Sequence, residues 1–218
     1  MSKIVSIDFQ TQSIALKKPF TIALGTITQA DNIFVKITTD DGIVGIGEAA
    51  PETFVTGETL TSCKAALELL TQKLIGQNPL NIAKIHETMN REILGNGAAK
   101  AAIDIACYDI LGKTANLPLY QLLGGHSDFV QTDMTISIDT PAVMAAEAKK
   151  HVELGFKAIK IKVGVDPIED VTRILAIREA VGPTIQLRVD ANQGWTPKEA
   201  IRAIERIPAG HRVRAFDL

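Results

Sequence analysis

Two lysines and an aspartate carry the clearest chemical signal in this sequence. Lys160 and Lys162 flank Ile161 in one predicted strand, and Asp190 lies at the end of the next. Because side chains alternate along a strand, both lysines project from the same face. Burial of two ammonium groups is costly unless an anion, such as a metal-bound carboxylate, lies between them. Crowding of this kind lowers the pKa of an ammonium group and makes it a base near neutral pH.

A plainer interpretation is a solvent-facing strand with a Lys-x-Lys pattern, followed by a loop aspartate. Against it, Ile159, Ile161 and Val163 alternate with the lysines, and the neighbouring predicted strands are apolar. A strand that is buried on both faces, as in a parallel sheet, does not place its lysines toward water. The spacing alone leaves both interpretations open.

The composition is that of a soluble globular protein. The 218 residues are 46% hydrophobic and 22% charged, which is enough apolar material for a core. A net charge of −2 argues against a nucleic-acid partner or an anionic membrane surface. Cys63 and Cys107 match no metal or redox spacing, so we expect buried free thiols. With no signal-peptide pattern and no apolar run of membrane-spanning length, we expect a cytoplasmic protein.

The N-terminal part combines a small sheet with helices. Residues 3–17 and 32–38 alternate as strands, and the turn at 40–42 leads into a third strand over 43–48. Apolar residues at helical spacing then predict three helices, from residue 59 onward, over 82–93 and over 98–114. The third helix is rich in alanine, which predicts close packing.

After Gly125 strands and helices alternate, and the repeat is about 28 residues, close to the roughly 30 of a (β/α)8 barrel. Each predicted helix begins with proline, which is tolerated there because its missing N–H is not needed. The predicted strands lie over 132–138, 158–163 and 185–189, and the helices over 141–154, 167–181 and 197–207.

We therefore expect an α/β protein in which an α+β capping domain, residues 1–125, precedes the first part of a barrel, residues 126–218. The sequence supplies three βα units and, at 212–218, the opening of a fourth strand, whereas a barrel needs eight. Such a partial sheet has unpaired edges. We interpret the chain as truncated within the barrel.

Functional groups of β/α barrels lie at the carboxyl ends of the strands. Thr135, Lys160, Lys162 and Asp190 all lie in or at the ends of predicted strands. A Mg²⁺ site usually needs more than one carboxylate, so Asp190 alone predicts only part of one. Lysine plus Mg²⁺ suits proton abstraction next to a carboxylate, because the metal stabilises the enediolate intermediate while the lysine takes the proton.

The chain resembles the enolase superfamily, muconate-lactonizing subgroup, and within it most closely the dipeptide epimerases of the L-Ala-D/L-Glu type. The matching motifs extend over nearly the whole chain: Lys18-Pro-Phe-Thr-Ile-Ala-Leu-Gly25, Gly45-Ile-Gly-Glu-Ala-Ala-Pro51, Ala101-Ala-Ile-Asp-Ile-Ala-Cys-Tyr-Asp109, Leu117-Pro-Leu-Tyr-Gln-Leu-Leu-Gly-Gly125, Thr132-Asp-Met-Thr-Ile-Ser-Ile138, Lys160-Ile-Lys-Val-Gly164 and Asp190-Ala-Asn-Gln-Gly-Trp195.

The resemblance implies roles for the site residues. Lys162 would be one acid/base, and Lys160 would be the second catalytic-site lysine, in contact with the substrate carboxylate. Asp190 would be the first of three Mg²⁺ ligands, with Asn192 in its supporting shell, and Thr135 would help bind substrate. The expected partner is a small-molecule dipeptide, and a homo-oligomer is left open.

The resemblance also implies that two loops of the capping domain, residues 20–27 and 52–58, set specificity. Gly25 stands where some L-Ala-D/L-Glu epimerases carry an arginine, whose fork suits an acidic side chain. Thr53, Phe54 and Val55 in the second loop favour a less polar substrate. Glu48 we interpret as structural rather than catalytic.

The subgroup's Glu-Gln-Pro ligand strand, its third acidic ligand and its opposing lysine would all follow Leu218, and Asp217 is a poor substitute for the missing ligand. Three alternatives to an epimerase stay open: a muconate cycloisomerase, an o-succinylbenzoate synthase, or a non-catalytic fragment that acts as an assembly or binding module. We expect the 218-residue chain alone to be inactive.

Overall fold

The computed structural model describes residues 2–208, 211 and 213–216. The chain forms two compact units, the first from Met1–Ala15 and Gln29–Phe129 and the second from Leu16–Thr28 and Val130–Leu218. An antiparallel N-terminal sheet followed by parallel βα units confirms the predicted α/β class. The boundary at residue 125 stays a prediction, and the segment Leu16–Thr28 belongs to the second unit.

Strands β1 (Ile4–Ile22), β2 (Gly25–Thr39) and β3 (Val44–Ala49) form a sheet in that order. β2 and β3 pair antiparallel around the predicted turn, where Gly42 adopts a φ of +82°. The prediction of a loop over residues 20–27 was wrong in extent, because β1 and β2 run on until only residues 23 and 24 separate them. Most side chains from 18 to 29 are exposed, so no alternation of burial marks these parts of the two strands in the sequence.

Helices α1 (Leu60–Leu74), α2 (Ile82–Glu92) and α3 (Gly97–Ala115) confirm the three predicted helices, and a short α4 (Leu119–Leu122) follows. A capping box between Thr59 and Ser62 starts α1. The alanines of α3 and the glycines of β3 allow the helix and the strand to pack closely. A Cβ at Gly47 would lie 1.9 Å from the carbonyl oxygen of Ala102.

The second unit is a parallel sheet with helices between its strands. Its elements are β4 (Met134–Ile136), α5 (Pro141–Glu153), β5 (Ala158–Lys162), α6 (Pro167–Val181), β6 (Gln186–Asp190), α7 (Pro197–Arg206) and β7 (Val213–Phe216). The strand order is β4-β5-β6-β7, so the fourth strand is present. Asp217, Arg212 and Leu218 lie outside the described residues.

Proline starts each of the three helices of this unit, as predicted, and side-chain caps start two of them. Asp166 accepts hydrogen bonds from two backbone N–H groups at the start of α6, and Thr196 and Glu199 form a capping box on α7. One face of the sheet is apolar and fully buried, through residues such as Ile159, Ile161 and Leu187. The opposite face therefore carries Lys160, Lys162 and their neighbours.

Among the residues that the structure describes, no helix is both long and apolar enough to cross a membrane.

Candidate active site

The lysine pair lies at the carboxyl end of β5, on one face of the sheet. The side chain of Lys162 is only 10% exposed, whereas that of Lys160 is 29% exposed. A solvent-facing strand therefore does not describe Lys162. The parallel register pairs Lys162 with Asp190 of β6, which brings the predicted carboxylate beside the lysines.

Asp190 joins the two lysines. Its Oδ2 atom lies 2.7 Å from the Nζ atoms of both Lys160 and Lys162. Its Oδ1 atom accepts a hydrogen bond of 2.8 Å from the backbone N–H of Asn192. The Asn192 side chain completes the cluster, because its Oδ1 atom accepts a hydrogen bond of 3.1 Å from Lys162 Nζ. Three of the predicted site residues and the predicted supporting asparagine thus contact one another.

The charge state of Asp190 follows from these contacts. Burial of this side chain, which is 2% exposed, raises its pKa. Hydrogen bonds from Lys160, Lys162 and the backbone of Asn192 outweigh burial, so the pKa of Asp190 lies below its ordinary value. The carboxylate is therefore ionised at neutral pH and lies between the two lysine side chains.

A tight turn after β6 presents the asparagine. Asn192 adopts a left-handed backbone conformation with φ of +47°, which asparagine tolerates better than most residues. The turn is closed by a hydrogen bond of 2.9 Å from Gly194 N–H to the carbonyl of Ala191. This conformation places both the N–H and the side chain of Asn192 within reach of the cluster.

Thr135 lies beside the lysines, since the register pairs it with Lys160 across β4 and β5. The turn between β1 and β2 belongs to the same unit. Just before this turn, the carbonyl oxygen of Thr21 accepts a hydrogen bond of 3.0 Å from the backbone N–H of Ile138, which follows β4. Gly25 follows this turn, is exposed and has a φ of +148°. Apart from its chain neighbours, nothing that the structure describes lies within 4 Å of the position that a Cβ on Gly25 would take.

An ion pair on the same face was missed in the sequence. Arg188, the register partner of Lys160, donates a hydrogen bond of 2.8 Å from Nη1 to Asp133 Oδ2. The signal was present, because Arg188 precedes Asp190 by two positions in its strand and must project from the same face. Asp133 could not have been paired with it without the strand register.

As a candidate metal ligand, Asp190 offers the carboxylate oxygens that Mg²⁺ prefers. The described residues contain no group of three or more His, Cys, Asp or Glu side chains that could hold a metal ion. The donor set therefore fits one ligand of a Mg²⁺ site and not a complete site.

Three residues of the first unit bear on the other expectations. Glu48 accepts a hydrogen bond of 2.6 Å from Asn32 Nδ2, across the β2–β3 pair, which is consistent with a structural role. Phe54 and Val55, in the predicted second specificity loop, are 69% and 72% exposed.

Acid/base side chains clustered at the carboxyl ends of parallel strands are typical of enzymes built from βα units. Two models of known protein families match this chain. The Mandelate racemase / muconate lactonizing enzyme N-terminal domain matches residues 5–124, and the Enolase C-terminal domain-like family matches residues 143–216. The chain belongs to the mandelate racemase / muconate lactonizing enzyme family of the enolase superfamily, which confirms the resemblance.

Curated relatives in this family include epimerases. The Hydrophobic dipeptide epimerase of Enterococcus faecalis is 54% identical over 205 residues, which cover 94% of this chain and 58% of the relative. The L-Ala-D/L-Glu epimerase of Bacillus subtilis is 42% identical over 207 residues, 94% of this chain and 57% of the relative. The chain thus spans somewhat more than half the length of these relatives.

A crystal structure of the dipeptide epimerase from Enterococcus faecalis, complexed with Mg and the dipeptide L-Leu-L-Tyr, is similar in fold. Its TM-score is 0.91 at 54% identity, and the match covers 93% of this chain and 57% of that one.

Proposed function

We propose that the complete protein is a Mg²⁺-dependent dipeptide epimerase, a cytoplasmic isomerase that removes and returns the α-proton of one residue of a dipeptide. The observation that carries the proposal is the cluster in which Asp190 Oδ2 lies 2.7 Å from both lysine Nζ atoms at the carboxyl ends of β5 and β6. Membership in a family with epimerases at 54% and 42% identity supports it.

Each residue has a distinct part in this proposal. Lys162, buried and held by Asp190 and Asn192, takes the α-proton in its neutral form. Lys160, the more exposed lysine, interacts with the substrate carboxylate, and Thr135 beside it contributes to substrate binding. Asp190 is a Mg²⁺ ligand with Asn192 as its support. Bound Mg²⁺ would offset the negative charge that develops on the substrate carboxylate when the proton leaves.

Epimerisation also needs a base on the opposite face of the α-carbon. Lys162 supplies one face only, so we place the second base, together with the further acidic ligands, outside residues 1–218. Residues 1–125 act in this proposal as the capping domain.

For the substrate we propose a dipeptide with an apolar residue. Gly25 offers no cation for an acidic side chain, and Phe54 and Val55 expose apolar surface in the second predicted loop. The relative from Enterococcus faecalis that is 54% identical acts, by its name, on hydrophobic dipeptides.

The test is α-proton exchange in D₂O by the complete protein, with L-Leu-L-Tyr and L-Ala-L-Glu and their epimers at the second residue, whose α-carbon carries the carboxylate. We expect exchange from both epimers, with a preference for the apolar dipeptide. Lys162→Ala should slow exchange from at least one epimer by about 10²–10⁴-fold, the usual contribution of a general base. Lys157→Ala, at an exposed position just before β5, is the matched control and should leave exchange unchanged.

Two outcomes would count against this proposal in different ways. Unchanged exchange from both epimers in Lys162→Ala would remove Lys162 from the mechanism. No exchange by the unmodified protein, combined with turnover of muconate or of the o-succinylbenzoate precursor, would assign it to the cycloisomerase or synthase alternative. No turnover of any of these compounds would favour the non-catalytic module.

A further inference from the structure

A second buried carboxylate lies behind the lysine cluster and has no part in the chemistry proposed above. Asp170, in the first turns of α6, is fully buried. A buried carboxylate is costly unless its oxygens are hydrogen-bonded, so its partners indicate what it stabilises.

The partners of Asp170 come from the loops that follow the two catalytic strands. Its Oδ2 atom accepts two hydrogen bonds, 2.9 Å from the backbone N–H of Gly164 and 3.1 Å from Trp195 Nε1–H. Gly164 follows Lys162 by two positions, and Trp195 follows Asp190 by five. One carboxylate oxygen therefore joins the chain just beyond the candidate base to the chain beyond the candidate metal ligand.

An arginine extends the network to a third loop. Arg173, which is also buried, donates from Nη1 to Asp170 Oδ1 at 2.8 Å and from Nε to the carbonyl oxygen of Asp139 at 2.8 Å. Asp139 lies in the loop after β4, the strand of Thr135. The loops after β4, β5 and β6 are thus all connected to Asp170.

Close packing at Gly164 restricts how the loops after β5 and β6 can be arranged. Gly164 has a φ of +113°, and a Cβ there would lie 2.4 Å from the carbonyl oxygen of Ala191. The strand ends are joined directly by a hydrogen bond of 3.0 Å from Val163 N–H to the carbonyl of Asp190. Asp170, in helix α6, hydrogen-bonds to the segments that follow both strands, at Gly164 and at Trp195.

We propose that Asp170 is a positioning residue for the candidate active site. Through Gly164 and Trp195 it holds the ends of β5 and β6 in the register that keeps Lys162 Nζ within 2.7 Å of Asp190. The effect on turnover rests on the proposed function, whereas the effect on the strand ends does not.

The test compares Asp170→Asn with Glu169→Gln in the complete protein. The asparagine keeps the size of the side chain but has one acceptor oxygen, so it cannot satisfy both Arg173 and the two N–H donors. Glu169 is the matched control, because it is the adjacent residue and also pairs with Arg173, at 3.0 Å, but its side chain is 53% exposed.

Four quantities are measured: amide hydrogen exchange at Val163, solvent exchange of the Trp195 indole N–H by ¹⁵N NMR, and kcat and KM for dipeptide epimerisation. The indole signal is assigned by its absence from Trp195→Phe. In Asp170→Asn we expect exchange at both N–H groups to be at least about tenfold faster and kcat to fall at least about tenfold, with KM changed less than about twofold. Glu169→Gln should alter none of these.

Unchanged exchange at Val163, or faster exchange with unchanged kcat, would overturn the proposal. If the unmodified protein epimerises no dipeptide, the proposed function fails, and Val163 exchange alone decides whether Asp170 sets the strand ends. If Asp170→Asn does not fold, Trp195→Phe decides in its place, since it removes one donor and keeps the charge pair. It should then accelerate Val163 exchange and lower kcat in the same sense.

Discussion

At the residue scale, the candidate site contains more positive than negative charge. Asp190 is the only carboxylate that the described residues place against Lys160 and Lys162, whereas Arg188 has its own partner in Asp133. Two ammonium groups therefore face one carboxylate. An excess of positive charge at the ends of parallel strands suits a ligand with a carboxylate group, such as the terminus of a peptide.

The contribution of Asp190 to stability should depend on pH. Its pKa in the folded protein lies below the value of about 3.9 of an unfolded aspartate, so ionised Asp190 stabilises the fold above that value. This stabilisation is lost as the pH falls through the folded-state pKa. Asp190→Asn should lower the free energy of unfolding at pH 7 by about 3 kcal/mol, as expected when one partner of a buried ion pair is removed.

Urea unfolding of the wild type and Asp190→Asn between pH 7 and pH 3 measures this difference. It should shrink as the pH falls below about 4. Asp128→Asn, at an exposed position, is the control and should behave as wild type throughout. A difference that stays constant down to pH 3 would show that the ion pairs are not its source.

The two cysteines should be unreactive in the folded protein. Burial, with a smaller contribution from Glu58, raises the pKa of Cys63 to about 11. Burial and the nearby Asp104 raise the pKa of Cys107 to about 12. Because the thiolate is the reactive form, iodoacetamide at pH 8 should leave both unmodified in native protein and alkylate both in urea. Peptide mass spectrometry measures this, and rapid native alkylation of either cysteine would contradict it.

At the element scale, the contact between β3 and α3 should tolerate no added methyl group. A Cβ at Gly47 would lie 1.9 Å from the backbone oxygen of Ala102, which cannot move without shifting the helix. Gly47→Ala should therefore lower the free energy of unfolding by about 2 kcal/mol or more. Gly97→Ala, in the first turn of α3 with nothing within 4 Å of the new methyl group, should change it by less than about 1 kcal/mol.

Urea or thermal unfolding of both variants decides the point. Equal stability of Gly47→Ala and Gly97→Ala would mean that α3 adjusts its position on the sheet at little cost.

The elements that the sequence predicted well are those with local signals. Helix α6 begins at Pro167 and ends at Val181 as predicted, because proline starts it and Gly182 follows it. The parts of β1 and β2 nearest their turn were missed, because most side chains from 18 to 29 are exposed and show no alternation. The strand β4, Met134–Ile136, is shorter than the predicted 132–138.

The same distinction holds for the candidate site: contacts set by a local pattern were predicted, and contacts set by packing were not. The contact of Lys160 and Lys162 with a carboxylate followed from the period of a strand and the position of strand ends. The connections of Asp170 to Gly164 and Trp195 could not be predicted, because they depend on how a helix packs against two loops. No local pattern in the sequence specifies such a contact.

At the scale of the whole molecule, the described residues contain some of the groups that an epimerase needs to abstract a proton and to bind a metal ion. They contain one candidate base and one candidate metal ligand, whereas the relatives named above are longer, with 57% and 58% of their lengths matched. Residues 1–218 include the strands of Lys162 and Asp190, and in the proposed function the opposing base lies outside them.

This division predicts the behaviour of the 218-residue polypeptide on its own. With one carboxylate available to the metal, Mg²⁺ should bind with a dissociation constant weaker than about 1 mM, the lower end of protein affinities for hard divalent cations. With a base on one face only, no epimerised dipeptide should form.

Isothermal titration with Mg²⁺ and chiral chromatography of L-Leu-L-Tyr incubations measure the two properties. The intact mass of the protein from its source cell supplies the comparison. A native mass roughly 15 kDa above 23.5 kDa, about five further βα units, should coincide with tighter Mg²⁺ binding and turnover. Turnover by a homogeneous 218-residue preparation would instead require that a second copy, or a group within these residues, supplies the opposing base.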